Sequence, residues 1–370
     1  MLNFTNFKVL TLIRAYVFNR LFHIFVEDWD RGVVRQAEIL IVHQGGVGDF
    51  VLCLPALGSV RQHYPGARVE LMGYPRVLQL VEGRYYVDSG RSVDEVGLGF
   101  FYMRDGDLDE AAFRYFAGFD RAFIFMSDRS GVFSDNVRRT GVKEVFSIPP
   151  FPETEKAIHV IDHMLSSLSS MGIPPGLRVP KIFLFEEDRV FAEDWLRQRG
   201  ASEKGLIALH PGSGSRNKLW PMEKFLDLVA RITVDLGFKI ILLIGPAERE
   251  YLGSQLELMR SSNPIWAENL SLIHVASLLD RCRCYIGADS GITHLAAAVG
   301  IPTIALFGPT DPRIWGPRGE KVAILGKNVS CSPCTPEDLE RCGHRGCLDL
   351  IGVDEVMEKA CAFLCSPGVV

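Results

Sequence analysis

The chain has 370 residues, 47% of them hydrophobic and 23% charged, a globular composition long enough for two domains that each bury a core. A formal net charge of −5 argues against a general polyanion-binding surface, and so against a nucleic-acid partner, and no run has the length and polarity of a transmembrane helix. Nine cysteines, unevenly spread, are too few for a secreted disulfide scaffold. With no secretion signal, the expected compartment is the cytoplasm and the expected thiols are reduced.

In chain order, residues 1–35 stand apart as an N-terminal amphipathic, basic extension. Its run 5–26 (TNFKVLTLIRAYVFNRLFHIFV) is rich in Phe, Leu, Ile and Val but is broken by Lys8, Arg14 and Arg20. It lacks a small-residue cleavage site, which argues against a signal peptide. Two readings stay open: an amphipathic helix on an anionic membrane surface, or a segment packed on its own protein. A first domain is expected over 36–175. The strand 38–43 (EILIVH) leads through the loop 44–48 into a helix over about 49–63, and a strand at 68–73 closes a β-α-β unit. Cys53 falls in that apolar helix and reads as core. Another strand is expected at 119–125 and a helix at 157–171, while residues 84–118 show no clear period. The run Gly172-Ile173-Pro174-Pro175-Gly176, with Pro180 after it, is the best linker.

The second domain, 176–350, alternates more regularly. Strands are expected at 206–210, 239–244, 284–287 and 303–307, with helices opening at Pro221, near 247–260, and at 272–280 and 291–299. Continuous apolar strands between helices argue for parallel sheets covered on both faces. The expected fold class is therefore α/β: two Rossmann-like, doubly wound sheets facing a cleft lined by loops at the strand C-terminal ends. Residues 351–370 hold a final helix, 353–364, that can cross back to the first domain.

Three loops at strand ends could carry chemistry. In the first, Gln44-Gly45-Gly46-Val47-Gly48-Asp49, the glycines permit tight turning and close backbone approach to a ligand. Asp49 reads either as a helix cap or as a carboxylate able to accept a proton. A dinucleotide reading also stands, with Glu70 some twenty residues on, but Val51 occupies the third glycine position. The second loop, His210-Pro211-Gly212-Ser213-Gly214-Ser215-Arg216-Asn217-Lys218, offers hydroxyls and a point charge suited to phosphate. It is not a P-loop, and its bland reading is a solvated turn. The third, 288–313 (ADSGITHLAAAVGIPTIALFGPTDPR), puts Asp289, Ser290, Gly291 and His294 at a helix N-terminus, where unpaired N–H groups favour an anion. Diphosphate charge would then be balanced by protein groups, with no obligatory cofactor or metal for catalysis.

Together IVHQGGVGDFVLCLPAL, LHPGSGSRNKLWP and ADSGITHLAAAVGIPTIALFGPTDPRIWGP resemble glycosyltransferase family 9, the ADP-heptose:lipopolysaccharide heptosyltransferases and their relatives. The resemblance spans about residues 38–320. It implies a GT-B fold with the donor held mainly by the second domain. It implies an inverting transfer of heptose from ADP-heptose to a lipopolysaccharide core acceptor (lipid A–Kdo or heptosyl). It casts Asp49 as general base, with Gly46 and Gly48 in the acceptor-side loop. Lys218, Asp289, Ser290, Gly291 and His294 would hold the donor, with Ser213 and Ser215 adding phosphate contacts. Glu268 and Asn269 fall where the family touches the nucleoside. Ser290 stands where the family often has Thr, which keeps the hydroxyl. A lipid acceptor would place the protein at the inner face of the inner membrane, touching it peripherally through residues 5–26.

Cys331, Cys334, Cys342 and Cys347 have the start of a four-thiolate pattern, although the second pair is not C-x2-C. A structural Zn or Fe is one expectation, with His344 as a substitute ligand, and reduced thiols in an irregular loop are the other. The competing functions are a family 9 transferase with another nucleotide sugar or a protein acceptor, an NAD-binding oxidoreductase, and a non-catalytic sugar-nucleotide binder.

Overall fold

The computed structural model describes residues 35–365 except 96–97, 105, 107, 153–156 and 202–204. The N-terminal extension, with its run 5–26, thus lies outside the described residues apart from its last position. From Glu38 on, the described residues form one compact unit built on two wholly parallel sheets.

The first sheet comprises β1 (Glu38–His43), β2 (Arg68–Gly73), β3 (Ser89–Ser92), β4 (Arg121–Phe125) and β5 (Glu144–Ser147), in the order β3-β2-β1-β4-β5. The second comprises β6 (Leu206–His210), β7 (Lys239–Ile244), β8 (Ile265–Glu268), β9 (Cys284–Ala288), β10 (Thr303–Phe307) and β11 (Val322–Gly326), in the order β11-β10-β9-β6-β7-β8. Ile39–Val42 of β1 and Leu206–Leu209 of β6 are wholly inaccessible. Both faces of these central strands are covered, so they read as unbroken apolar runs and not as alternating ones. Winding reverses at β1, between β2 and β4, and at β6, between β7 and β9. The loops at those reversals border the crevices where such sheets take ligands.

Helix Val47–His63 is buried from Phe50 to Val60. It shows no polar stripe because it packs against helices Val160–Ser170 and Gly291–Val299, and a helix that is apolar all round is a core helix. The contact with Gly291–Val299 joins the two halves. A Cβ on Gly291 would lie 2.8 Å from the Val47 Cβ and 2.9 Å from the Gly48 amide nitrogen. Glycine at 291 therefore lets the N-termini of the two helices meet, and each helix follows a central strand or its neighbour at a reversal point. Elsewhere the halves are tied by Arg84, which is bidentate to Asp188 at 2.7 and 3.1 Å, and by Tyr86, whose hydroxyl donates to the Lys181 carbonyl at 2.8 Å.

Several details differ from the sequence expectation. The stretch 84–118, with no legible period, holds β3, a 3-10 turn Leu98–Tyr102 and helix Glu110–Phe116. The expected helix near 247–260 is a short α-helix, Pro246–Leu252, broken at Gly253 (φ 46°) and continued as 3-10 turns over Gly253–Ser262. The final helix, Val353–Cys365, packs on the second sheet. Its Val356, Met357 and Ala360 share a core with Phe225 and Leu228, and Asp354 and Glu355 pair with Arg231 and Lys327. Those contacts hold it on the second half, where its apolar face completes the core beside helix Met222–Asp235.

Candidate active site

The loop after β1 is held from within. The Gly45 N–H donates to Nδ1 of His43 at 3.3 Å, and the Gly46 N–H donates to Oδ2 of Asp49 at 3.0 Å. Asp49 thus closes the first turn of helix Val47–His63, where an acid is favoured by the helix dipole. Its Oδ1 accepts no hydrogen bond among the described residues, and Asp49 lines a cavity of about 900 Å³. His43 lies beneath the loop with its ring edge-on to Phe50, 5.1 Å between centroids. Burial lowers its pKa to about 4, so at neutral pH it is an uncharged acceptor for the Gly45 amide.

The opposite wall comes from the second half. Lys218 ends the 3-10 turn Arg216–Lys218 and sets Nζ 2.8 Å from Oδ2 of Asp289. Thr310, in the loop after β10, donates to the same oxygen at 2.5 Å. Asp289 is almost fully buried, while the Lys218 side chain is 27% exposed. The carboxylate fixes the ammonium, which keeps two of its three N–H donors for the cavity. Ser290 caps helix Gly291–Val299, its Oγ accepting from the Thr293 N–H at 3.4 Å. Gly291 and Ile292, whose N–H groups begin that helix and have no partner within it, line the same cavity. His294, one turn in, is buried against Gly48: a Cβ there would lie 3.2 Å from its Cδ2. Its Nδ1 has no hydrogen-bond partner among the described residues. Burial lowers its pKa to about 4; Asp289 opposes that shift, and His159 and Lys218 add to it.

Gly46, Gly48, Asp49, Lys218, Asp289, Ser290, Gly291 and His294, all singled out in the sequence, therefore line one cavity. Ser213 also lines it, but its buried hydroxyl donates to the Asp289 carbonyl at 2.7 Å and ties two loops together. Ser215 is placed differently: it caps the turn, accepting from the Asn217 N–H at 3.4 Å. Beside the polar groups the cavity has an apolar part, a recess lined by Leu243, Ala267, Leu270, Leu272 and Val275. Glu268 and Asn269 flank that recess. The Glu268 carboxylate is paired with Arg249, and Asn269 adopts a left-handed backbone, φ 56°, while their neighbours Ala267, Leu270 and Ser271 form the lining. Glu70, the acid of the dinucleotide reading, accepts from the Tyr115 hydroxyl at 2.6 Å and from Ser89 at 3.1 Å.

Sequence reasoning misses Thr310, although its loop ends the third of the runs expected to carry chemistry. It also missed Leu52 and Trp315, which line the cavity beside Asp49 and belong to one apolar cluster. Leu52 is one turn on from Asp49, a spacing that could have flagged it. The buried Glu248–His210 pair had no signal beyond the Gly245-Pro246 turn.

The C-terminal cysteine segment braces the site. Ser332 donates to the Gly308 carbonyl at 2.7 Å, Cys334 N–H to the Pro309 carbonyl at 2.8 Å, and Asn217 to the Leu339 carbonyl at 3.1 Å. Burial raises the Cys347 pKa, and Cys334, Cys331 and Cys342 raise it further, so the four thiols share one neighbourhood. Among the described residues, however, no three His, Cys, Asp or Glu side chains are arranged to hold a metal ion. The four thiols as placed do not form the expected Zn or Fe site, since Cys334 turns its Sγ to the Cys331 carbonyl at 3.1 Å and Cys347 is buried with the second core.

A model of glycosyltransferase family 9 (heptosyltransferase) matches residues 155–342. The chain is 23% identical over 337 residues to lipopolysaccharide heptosyltransferase 3 of Escherichia coli K12, covering 84% of this chain and 93% of that protein. It is 35% identical over 130 residues to lipopolysaccharide heptosyltransferase 1 of Pseudomonas aeruginosa, 35% of this chain and 36% of that protein. Its fold is shared with a family 9 glycosyl transferase from Veillonella parvula (TM-score 0.72, 22% identity, 89% of this chain and 97% of that one). It is shared also with the ADP-heptose heptosyltransferase II of E. coli (TM-score 0.68, 18% identity, 88% and 98%). The two-sheet architecture is thus the GT-B fold.

Proposed function

The chain belongs to glycosyltransferase family 9, and from that premise we propose that it is an inverting heptosyltransferase that moves heptose from ADP-heptose to a lipopolysaccharide core acceptor. It is a transferase enzyme, which sets the oxidoreductase and the non-catalytic binder aside. The observation that carries the finer reading is the meeting of the two helix N-termini at Gly48 and Gly291. That contact brings a carboxylate from one half and an anion-binding wall from the other onto one cavity.

In this reading the nucleoside occupies the apolar recess, and the diphosphate lies against Lys218, the Ser290 hydroxyl and the N–H groups that open helix Gly291–Val299. Asp289 holds Lys218 in place and Thr310 holds Asp289. The heptose then points toward Asp49. An acceptor hydroxyl oxygen attacks the anomeric carbon as Asp49 takes its proton. The bond from that carbon to the diphosphate oxygen breaks with both electrons going to ADP, and attack from the face opposite the leaving group inverts the centre. The charge that develops on the diphosphate is met by groups already in position. His294, neutral and wedged on Gly48, packs the seam between the two halves of the site. Leu52 and Trp315 beside Asp49 suit the carbon face of a sugar ring.

Among the described residues no helix is long and apolar enough to cross a membrane. We assign contact with the lipid-borne acceptor to a peripheral role of residues 5–26 at the inner face of the inner membrane. The test is calorimetric titration with ADP, UDP and NAD, each with and without EDTA. The reading expects selective ADP binding that EDTA does not change. Preference for UDP would change the sugar donor, and preference for NAD with ADP weak would contradict the reading.

A further inference from the structure

A second cavity, of about 680 Å³, lies outside the site described above. It is bounded by helix Val160–Ser170, by Phe151 and the prolines beside it, and by Arg178. None of its lining residues lines the cavity of Asp49 and Lys218. The two cavities nevertheless share a wall. The Phe151 ring, on the second cavity, lies 5.1 Å from the ring of Trp315, on the first. Leu165, also on the second cavity, belongs to one apolar cluster with Trp315 and with Leu52 of the first. The second cavity therefore adjoins the first beside Leu52 and Trp315, the residues next to Asp49.

Its walls offer three kinds of contact. Phe151 and Ile158 are 43% and 40% exposed, large apolar side chains left in water. Ser167 and Ser170 donate their hydroxyl hydrogens to carbonyls one turn back, each at 3.0 Å, which leaves lone pairs on both oxygens as acceptors. The third contact is a charge. Asp162 is the only acid among the described lining residues. Arg318 binds it bidentately, with one contact at 2.9 Å, and Arg178 adds a bond at 2.8 Å. The Arg318 hydrogen bond, ahead of the opposing effect of burial, holds the Asp162 carboxyl below the usual carboxylate range, so it is ionised at neutral pH. Two guanidinium groups thus share one carboxylate and leave one positive charge over. Arg318 is 27% exposed and Arg178 61%, so the surplus charge is presented by Arg178.

An aromatic face, hydroxyl acceptors and an unmatched guanidinium together suit a sugar that carries an anion. The ring takes its carbon face, the serines its hydroxyls, and the guanidinium its carboxylate or phosphate. A hydrocarbon chain would instead cover Arg178 and the serine oxygens without giving them partners.

We propose that this second cavity is a distal acceptor subsite: it holds an anion-bearing sugar of the same glycan whose reacting hydroxyl reaches Asp49, with Arg178 on the anion and Phe151 against the ring. This rests on reading the first cavity as a glycosyl-transfer site. The subsite grips a part of the acceptor that does not react. It binds ground state and transition state alike, and so lowers the acceptor KM without raising kcat.

The experiment is transfer from ADP-heptose to a deacylated lipopolysaccharide core oligosaccharide, with donor saturating and acceptor varied. It compares the wild-type protein with Arg178→Gln, Arg178→Lys and Phe151→Ala. Thermal melts establish folding, and calorimetry with ADP reads the donor site separately. Arg178→Gln is expected to raise the acceptor KM about tenfold, the loss of one charge-assisted contact, with kcat and ADP affinity within about twofold of wild type. Arg178→Lys, which keeps the charge, is expected to recover part of that loss. Phe151→Ala is expected to raise the acceptor KM about three- to tenfold. Repeating the series with the dephosphorylated oligosaccharide identifies the anion: an Arg178→Gln effect that disappears marks a phosphate, and one that persists marks a carboxylate. Acceptor KM within about twofold of wild type in both Arg178→Gln and Phe151→Ala would overturn the inference while leaving the transfer reading intact. So would an effect seen only with the acylated acceptor, which would assign the cavity to lipid. Failure of the wild-type protein to bind ADP or to transfer would overturn the underlying reading and this inference with it. If Phe151→Ala does not fold, Arg178→Gln decides, because Asp162 keeps its bidentate partner Arg318 there.

Discussion

Lys218 and Asp289 meet at 2.8 Å, with the carboxylate buried and the lysine side chain 27% exposed at the cavity wall. The pair is a device for holding a cation still. Removing the cation leaves Asp289 buried without its ion pair, its carboxylate still accepting from Thr310. Lys218→Ala is therefore expected to weaken ADP binding about ten- to a hundredfold, the loss of one charge-assisted contact, and to lower stability as well. Calorimetry and a melting curve read the two effects separately. An unchanged ADP affinity would place the phosphate elsewhere.

The Gly48–Gly291 approach makes a purely steric prediction. Gly291→Ala sets a Cβ 2.8 Å from the Val47 Cβ and 2.9 Å from a backbone nitrogen, and backbone has no rotamer to give way. A cost of about 1–3 kcal/mol is expected, although alanine is otherwise the better helix former. Denaturant unfolding measures it. A neutral or stabilising result would mean that the helices are farther apart than described.

Arg84 and Asp188 are each 7% exposed and bidentate across the two halves. Removing one partner strands a buried charge, so Arg84→Ala is expected to cost about 3–5 kcal/mol. The replacement that removes both charges, Arg84→Met with Asp188→Leu, is expected to recover much of that loss. A double-mutant cycle by denaturant unfolding checks both statements.

The buried histidines set an acid limit on stability. His43 and His294 have folded pKa values lowered to about 4 from 6.5, in each case by burial first. Because protonation then favours the unfolded chain, their contribution is fully present above about pH 6.5. It is lost as the pH falls toward 4, with up to about 3 kcal/mol at stake for each. Unfolding free energies at pH 7 and pH 4.5 should show the loss, and His294→Gln should reduce it. A stability that is flat across this window would contradict the buried, neutral state of both rings.

Much of this site could be read from residues. The three loops at the ends of β1, β6 and β9 follow apolar runs so continuous that their strand character was legible. Asp49, Lys218, Asp289 and His294 lie in those loops or in the first helical turn after them. What could not be read was the third dimension. Ser213 and Ser215 look alike in sequence, yet one is buried across the Asp289 loop and the other caps a turn. Glu248 is 38 residues from His210 and 42 from Ser290, and only the order β9-β6-β7 brings them together. Residues 84–118 were illegible because β3 is a short edge strand of Ser, Gly and Arg, with neither the apolar run nor the alternation that marks a strand. The apolar pattern of the final helix does not name its partner, which is the second core.

The central claim is that Asp49 removes the acceptor proton while the opposite wall holds the donor. It is tested most directly by measuring turnover and ADP affinity together in Asp49→Asn. The amide can no longer take a proton and leaves the Gly46 N–H with an oxygen to bond. The account predicts turnover reduced by about 10²–10⁴-fold with ADP affinity within about threefold of wild type. Turnover within tenfold of wild type would show that Asp49 only caps its helix and that the base lies elsewhere.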